Sequence, residues 1–392
     1  MTARRPRRGA STGVSRREFI ARGGAAAGGL ALGSTLLGSA GAFASLGAQG
    51  DNVGGKLSVV NWPLYIDKPP TSRTDSPKDF EADTGIDLKY SESLNDNNEF
   101  FAKYQQQLSQ DRYPGFDIAV PTSWMAKRLI DLGYVQKLPL DDIPNAANLD
   151  PGLANPIWDP TGEYTLPWQT YIVGIAYNIA ITDRELTSFD DLYDKKFKNK
   201  VGMLLEMRDT MGLALLADGV DPTTVTYRKA TPTFNRLQKA VDASQVRRFT
   251  GNDYQDDLVD GNFAACVGWS GDVAQLTLDN EDLRFVIPDD GGMRGTDTMV
   301  WIAPAKRRAQ VAAWMNYFYD PAHAAQVEAY VNYIPPVAGV QPELAAIDPA
   351  LGSSPLIFPP ADVLAQLKIF NQELSPKDEE KFDRRFAELT GT

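Results

Sequence analysis

Phe263-Ala-Ala-Cys-Val-Gly-Trp-Ser-Gly-Asp-Val-Ala-Gln275 is an apolar run that ends abruptly in Trp269, Ser270, Gly271 and Asp272. Phe263–Val267 is short, apolar and preceded by the turn signal Asp260-Gly261-Asn262, which predicts a buried strand. Ser270 and Gly271 suit the start of a helix, and Asp272 suits its first turn. An aromatic face and a carboxylate are therefore expected together at a strand's carboxyl end. In open α/β sheets that edge is where ligands bind. Read alone, the stretch fits equally well a core tryptophan followed by an ordinary helix-start acid, so the decision falls to the rest of the chain.

The same pattern recurs upstream. Lys56–Val60 reads as a strand that runs into Asn61-Trp62-Pro63-Leu64-Tyr65, and Phe116–Val120 as one that ends in Pro121-Thr122-Ser123-Trp124. Lys200–Leu205 predicts a strand that stops at Glu206-Met207-Arg208-Asp209, directly before a helix over Thr210–Asp218. Trp168–Asn178 is a long apolar run suited to a strand that passes from one domain to another, with Trp168 and Tyr171 packing that hinge. Asp297 is expected just before a strand over Met299–Ala303, and a helix is expected over Arg236–Ala243. Strands alternate with helices throughout, which argues for an α/β fold of mixed sheets covered by helices. No glycine fingerprint for phosphate stands between a strand and a helix, which argues against nucleotide binding.

The N-terminus carries a separate message. Four arginines by Arg8, the sequence Ser15-Arg16-Arg17-Glu18-Phe19-Ile20, a weakly apolar Ala/Gly/Leu stretch and Ala42-Phe43-Ala44 together read as a twin-arginine signal peptide over residues 1–44. Residues 45–55 form a polar, Gly-rich leader. The signal holds seven of the 39 basic residues and one of the 51 acidic ones, so the chain beyond it has 32 against 50, a net −18. Such a surface argues against nucleic-acid binding, which needs a basic face. Cys266 is the sole cysteine and His323 the sole histidine, too few for disulfides or a zinc shell. No metal and no cofactor is expected.

Gly268-Trp-Ser270-Gly-Asp272 resembles a nucleophile elbow with its last glycine missing, but a secreted serine hydrolase would have to use His323, in the first turn of a helix, as its base. A binding role uses more of what is present. Ammonium groups are held by carboxylates and by aromatic faces, and methylene chains want the same aromatic walls. Each contact contributes only ~0.5–2 kcal/mol when partly wet, so tight binding needs several in a cleft that closes.

Six ordered markers carry a family resemblance: Asn61-Trp62-x-x-Tyr65, Phe116-Asp-x-x-Val-Pro121, Leu166-Pro-Trp168 leading to Gly174-Ile-x-Tyr-Asn178, Gly268-Trp-Ser-Gly-Asp-Val273, Asp297 before an apolar strand, and Phe358-Pro-Pro-Ala-Asp-Val363. The chain beyond the signal resembles the polyamine-binding (spermidine/putrescine) substrate-binding proteins of ATP-binding-cassette importers. The resemblance implies a two-lobed, type II-like periplasmic-binding-protein fold with the ligand between the lobes. Carried over, lobe one is 56–169 plus 270–341 and lobe two is 170–269 plus 342–392. Trp62, Tyr65, Trp269 and Tyr333 match aromatic walls, and Asp209, Asp272 and Asp297 match acids that receive amino groups. Thr122, Ser123 and Trp124 match a loop that lines the same cleft. Glu206 matches a position acidic in spermidine binders, and Asn252 is a further candidate. Pro63 and Leu64 depart from the family, which often has a small hydroxyl residue and then an acid there.

The resemblance implies a monomeric, non-enzymatic receptor in the periplasm or at the outer face of the cytoplasmic membrane. Its partners would be a polyamine, the permease subunits of an ABC transporter and the twin-arginine export machinery. The alternatives are a receptor for a different small cationic or polar solute and the secreted serine hydrolase.

Overall fold

The computed structural model describes residues 53–391. The expected signal and the leader up to residue 52 lie outside the described residues. Among the described residues the strands are β1 (Lys56–Asn61), β2 (Asp87–Glu92), β3 (Ile118–Ala119), β4 (Val135–Gln136), β5 (Thr165–Asn178), β6 (Val201–Leu204), β7 (Val246–Thr250), β8 (Ala265–Trp269), β9 (Leu283–Val286) and β10 (Met293–Ile302). They form one mixed sheet in the order β2-β1-β3-β10-β5-β8-β6-β7, with β4 on β10 and β9 on β5. The alternating pattern of strand and helix thus gives the expected α/β architecture.

β5 organises the sheet. All of its residues are buried, which is why its sequence is mainly apolar on both faces rather than alternating. From Thr165 to Val173 it pairs antiparallel with β10, and from Val173 to Asn178 it pairs antiparallel with β8 and β9. β3 is antiparallel to β10 and parallel to β1. β1 and β3 therefore run in the direction of β5, and their carboxyl ends reach toward its middle from one flank. β8 runs against β5 and is parallel to β6, with Trp269 opposite Val173. Its carboxyl end reaches the same place from the other flank. Two sets of strand ends thus face each other, and the loops and helix starts that follow them enclose the space between.

Helix starts at these junctions are set by local chemistry. The Asp96 carboxylate accepts the Glu99 N–H and caps Asn97–Leu108, and the Glu206 carboxylate accepts the Arg208 N–H and caps Met207–Ala217. Two sequence expectations are corrected. β10 begins at Met293, so Asp297 lies inside the strand, at a register shift between Asp297 and Thr298 that re-aims its side chain. The helix expected over Arg236–Ala243 instead spans Tyr227–Asp242, despite Pro232 within it. Its buried face of Ala230, Thr233, Phe234, Leu237 and Ala240 outweighs the hydrogen bond that proline removes.

Candidate functional site

The facing strand ends line a cleft. Trp62, Pro63, Leu64 and Tyr65 line it after β1, Asn95 and Asp96 after β2, and Thr122 after β3. From the other flank come Leu205 and Glu206 after β6, Gly251 and Asn252 after β7, and Trp269 and Asp272 at the end of β8. Tyr171 of β5, Asp297 of β10 and Tyr333 complete the lining, which among the described residues contains no Lys or Arg. Tyr65, Tyr333, Asp272 and Asp297 are only 5–6 % exposed, whereas Leu64 at the mouth is 40 % exposed, so the acid–tyrosine pairs lie at the buried end of the cleft.

Its carboxylates are held by neutral donors. Asp297 Oδ1 accepts from Thr122 Oγ1 at 2.7 Å, and its Oδ2 accepts from Tyr65 Oη at 2.8 Å. Asp272 Oδ1 accepts from Tyr333 Oη at 2.7 Å, and its Oδ2 accepts from Tyr254 Oη at 2.9 Å. The rings of Tyr65 and Tyr333 meet edge to face at 5.1 Å, so the two acid–tyrosine pairs form one wall. Opposite, Trp269 donates its indole N–H to Asp209 Oδ2 at 2.8 Å and packs edge-on against Tyr171 and Tyr254. Asn97 joins the flanks: its Nδ2 donates to Thr122 Oγ1 at 3.0 Å and to Glu206 Oε2 at 3.2 Å.

These acids are poorly supplied with positive charge. Burial pushes the Asp297 carboxyl up to about 7, against the pull of the Thr122 and Tyr65 hydroxyls. Burial pushes Asp272 up to about 6, against the hydroxyls of Tyr333 and Tyr254. Asp209 is held well above the usual carboxylate range by burial and by the charge of Glu206. Glu206 is pushed up by burial and by Asp96, with Arg208 pulling the other way. Hydroxyl and indole donors fix the orientation of these carboxylates without neutralising them. The chemistry that completes such a site is a cation with N–H donors, and the aromatic walls suit the methylenes attached to it.

Of the residues singled out in the sequence, Trp62, Tyr65, Thr122, Glu206, Asn252, Trp269, Asp272, Asp297 and Tyr333 meet at this cleft. Asp209 lies one layer behind and reaches the cleft through the Trp269 indole. Ser123 and Trp124 are corrections. Both belong to the buried side of the helix Ser123–Asp131, and Trp124 packs into a separate apolar cluster. Tyr171, expected to pack the hinge, lines the cleft, whereas Trp168 packs on Trp314 and Phe318 and donates its indole N–H to the Tyr65 carbonyl. Asp96 was missed. Its signal was available as the helix-start pattern Asp96-x-x-Glu99 directly after a strand. It gives the β1–β2 side of the cleft an acid, where Pro63 and Leu64 leave the first loop without one.

The hydrolase alternative loses its nucleophile. Ser270 is fully buried and its Oγ accepts the Ile172 N–H at 3.1 Å, while His323 stacks on Tyr317 outside the cleft.

Residues 77–353 match the family of bacterial extracellular solute-binding proteins. The chain is 27 % identical over 331 residues to the putrescine-binding periplasmic protein PotF of Escherichia coli, with 79 % of this chain and 85 % of the other covered. It is 26 % identical over 307 residues to spermidine/putrescine-binding periplasmic protein 1 of Haemophilus influenzae, covering 78 % and 81 %. The crystal structure of the spermidine/putrescine ABC transporter substrate-binding protein PotD from Streptococcus pneumoniae superposes with a TM-score of 0.70 at 23 % identity, covering 86 % of this chain and 99 % of that one. The fold is thus the two-lobed α/β fold expected from the sequence, with the cleft between the lobes.

Proposed function

The chain belongs to the bacterial extracellular solute-binding proteins, and on that footing we propose that it captures a linear polyamine, putrescine or spermidine, and delivers it to an ABC importer. The observation that carries the reading is a cleft lined by aromatic rings and buried carboxylates and, among the described residues, by no basic side chain. Asp297 and Asp272 take the ammonium groups, while Trp62, Tyr65, Trp269, Tyr171 and Tyr333 cover the methylenes. Asp209 orients Trp269, and Glu206 and Asp96 supply further negative charge at one side. The names of the relatives, which bind putrescine or spermidine, support the same ligand class.

Closure is the working step. Bringing the acids out of water without a counter-ion is unfavourable, and a dication offsets that cost only when both lobes surround it. Ligand therefore shifts the open–closed equilibrium by its better binding to the closed form. In this reading lobe one is 56–169 plus 270–341, lobe two is 170–269 plus 342–392, and the protein is a monomer that acts without catalysis. Residues 1–44 direct export by the twin-arginine route to the outer side of the cytoplasmic membrane.

Isothermal titration of the protein lacking residues 1–44 with putrescine, spermidine and spermine tests the reading. Saturable one-to-one binding of any of them is expected, and the ranking names the ligand. No heat with all three, in protein shown to be folded and ligand-free, would overturn the polyamine assignment in favour of another small solute.

Gly271→Ala gives a second, more local test. A Cβ there would lie 2.2 Å from Cδ2 of Tyr333, so the ring must move and its bond to Asp272 is lost. Alanine favours a helix over glycine by roughly 1 kcal/mol, so the helix itself gains. Amine affinity is expected to fall roughly tenfold, about the net value of one hydrogen bond to a charged group. Unchanged affinity in the titration would remove Tyr333 from the binding wall.

A further inference from the structure

Trp124, Arg128, Arg208 and Glu379 form a cluster away from the cleft that joins its two sides. Trp124 and Arg128 lie one turn apart on the helix Ser123–Asp131, which follows β3. Arg208 is in the first turn of Met207–Ala217, which follows β6 on the other flank. Glu379 is on the C-terminal helix Pro376–Thr390, whose Phe382 packs on Phe234 of that same flank. Glu379 Oε1 takes Arg208 Nη2 at 2.7 Å and Arg128 Nη2 at 2.9 Å. The Arg208 guanidinium lies 3.6 Å over the Trp124 ring.

Two of these contacts cross between flanks, Arg128 to Glu379 and Trp124 to Arg208. The third, Arg208 to Glu379, stays within one flank and survives any separation. A groove lined by Trp124, Arg128, Arg208 and Glu379 reaches the cluster from solvent, so Arg128 can rehydrate when the flanks part. The crossing contacts are thus reversible. They are also tied to the ligand site, because Arg208 shares its helix turn with Glu206, whose carboxylate lines the cleft and accepts the Arg208 N–H.

We infer that Trp124 and Arg128 on one flank, gripping Arg208 and Glu379 on the other, are a closure latch that raises ligand affinity without touching ligand. These are positioning residues, and the inference rests on the reading of the cleft as a closing solute site. The latch adds stability only to the closed form, so its effect appears in how long ligand is held.

Arg128→Met removes the charge and keeps a long, unbranched apolar side chain. Putrescine affinity is expected to weaken roughly tenfold, chiefly through faster dissociation, with Arg128→Lys recovering part of the loss. The ligand-free melting temperature is expected to stay as in the wild type, which a merely structural role would not allow. Wild-type affinity and dissociation rate in Arg128→Met would overturn the latch. If the wild type itself binds no amine, the functional reading fails, and the latch is judged by X-ray scattering of ligand-free protein at pH 5, where protons neutralise the cleft acids. A larger radius of gyration in Arg128→Met than in the wild type would then support it, and equal radii would overturn it.

Discussion

Asp272→Asn is expected to weaken diamine binding at least tenfold while leaving the ligand-free protein at least as stable as the wild type. The two halves of this result come from one geometry. Asp272 receives hydroxyl protons from Tyr333 and Tyr254 on its two oxygens and is 5 % exposed. Asparagine has the same shape and can still accept from one tyrosine and donate to the other, so the wall keeps its form. What is lost is the negative charge that an ammonium group would meet in a dry site. Hydrogen bonds to charged groups contribute about 1.5–3 kcal/mol, or on the order of 10- to 100-fold in affinity.

Stability moves the other way. Burial raises the Asp272 carboxyl to about 6 in the folded protein, above the ordinary value of about 4 that the unfolded chain would have. Above the unfolded value the unfolded state gains by ionising, so this carboxyl costs stability increasingly up to about pH 6 and by a constant amount beyond. Asparagine removes that cost. Calorimetric titration with putrescine and a thermal melt of ligand-free protein check both halves. Wild-type affinity would sink the role of Asp272, and a collapsed melt would make it a structural acid.

The legible part of the site was the part that obeys a local rule. Strand ends carrying an aromatic residue or an acid could be read one at a time at Trp62, Glu206, Trp269 and Asp272, and the opposed directions of the strands about β5 bring them together. Asp297 was read as an acid of the site but misplaced, because a register shift inside a strand leaves no mark in the alternation of residues. Trp124 departs from the expectation because its ring packs into an apolar cluster and under Arg208, which is far away in sequence. Tyr171 sits in a long run read as a hinge strand, and nothing local in that run distinguishes the buried residue that faces a cleft.

Acid alone is expected to close the ligand-free protein. In an open cleft the acids are hydrated and titrate near the ordinary value of about 4, whereas in the closed cleft burial holds Asp272 at about 6 and Asp297 at about 7. Closing therefore takes up protons, and the equilibrium shifts toward the closed form as pH falls through 7 and 6 toward 5. For these two groups alone the closure constant is expected to rise roughly a few hundredfold between pH 7 and pH 5. Asp209, Glu206 and Asp96, all pushed up by burial, act in the same direction. Arg208 opposes it by favouring the ionised form of Glu206. Tyr65, Tyr171, Tyr254 and Tyr333 are pushed still higher from an already high value and stay protonated throughout.

Protons and a dication would then compete for one closed cleft. Amine affinity is expected to fall over the same acid range, because ligand needs the carboxylates that protons occupy. X-ray scattering without ligand should give a radius of gyration that contracts between pH 8 and pH 5, while saturated protein stays compact from pH 8 to about pH 6. His323, stacked on Tyr317 outside the cleft, is the internal control, and His323→Gln should leave the transition in place. A radius independent of pH in the ligand-free protein would mean that the cleft closes for reasons other than the charge on its acids.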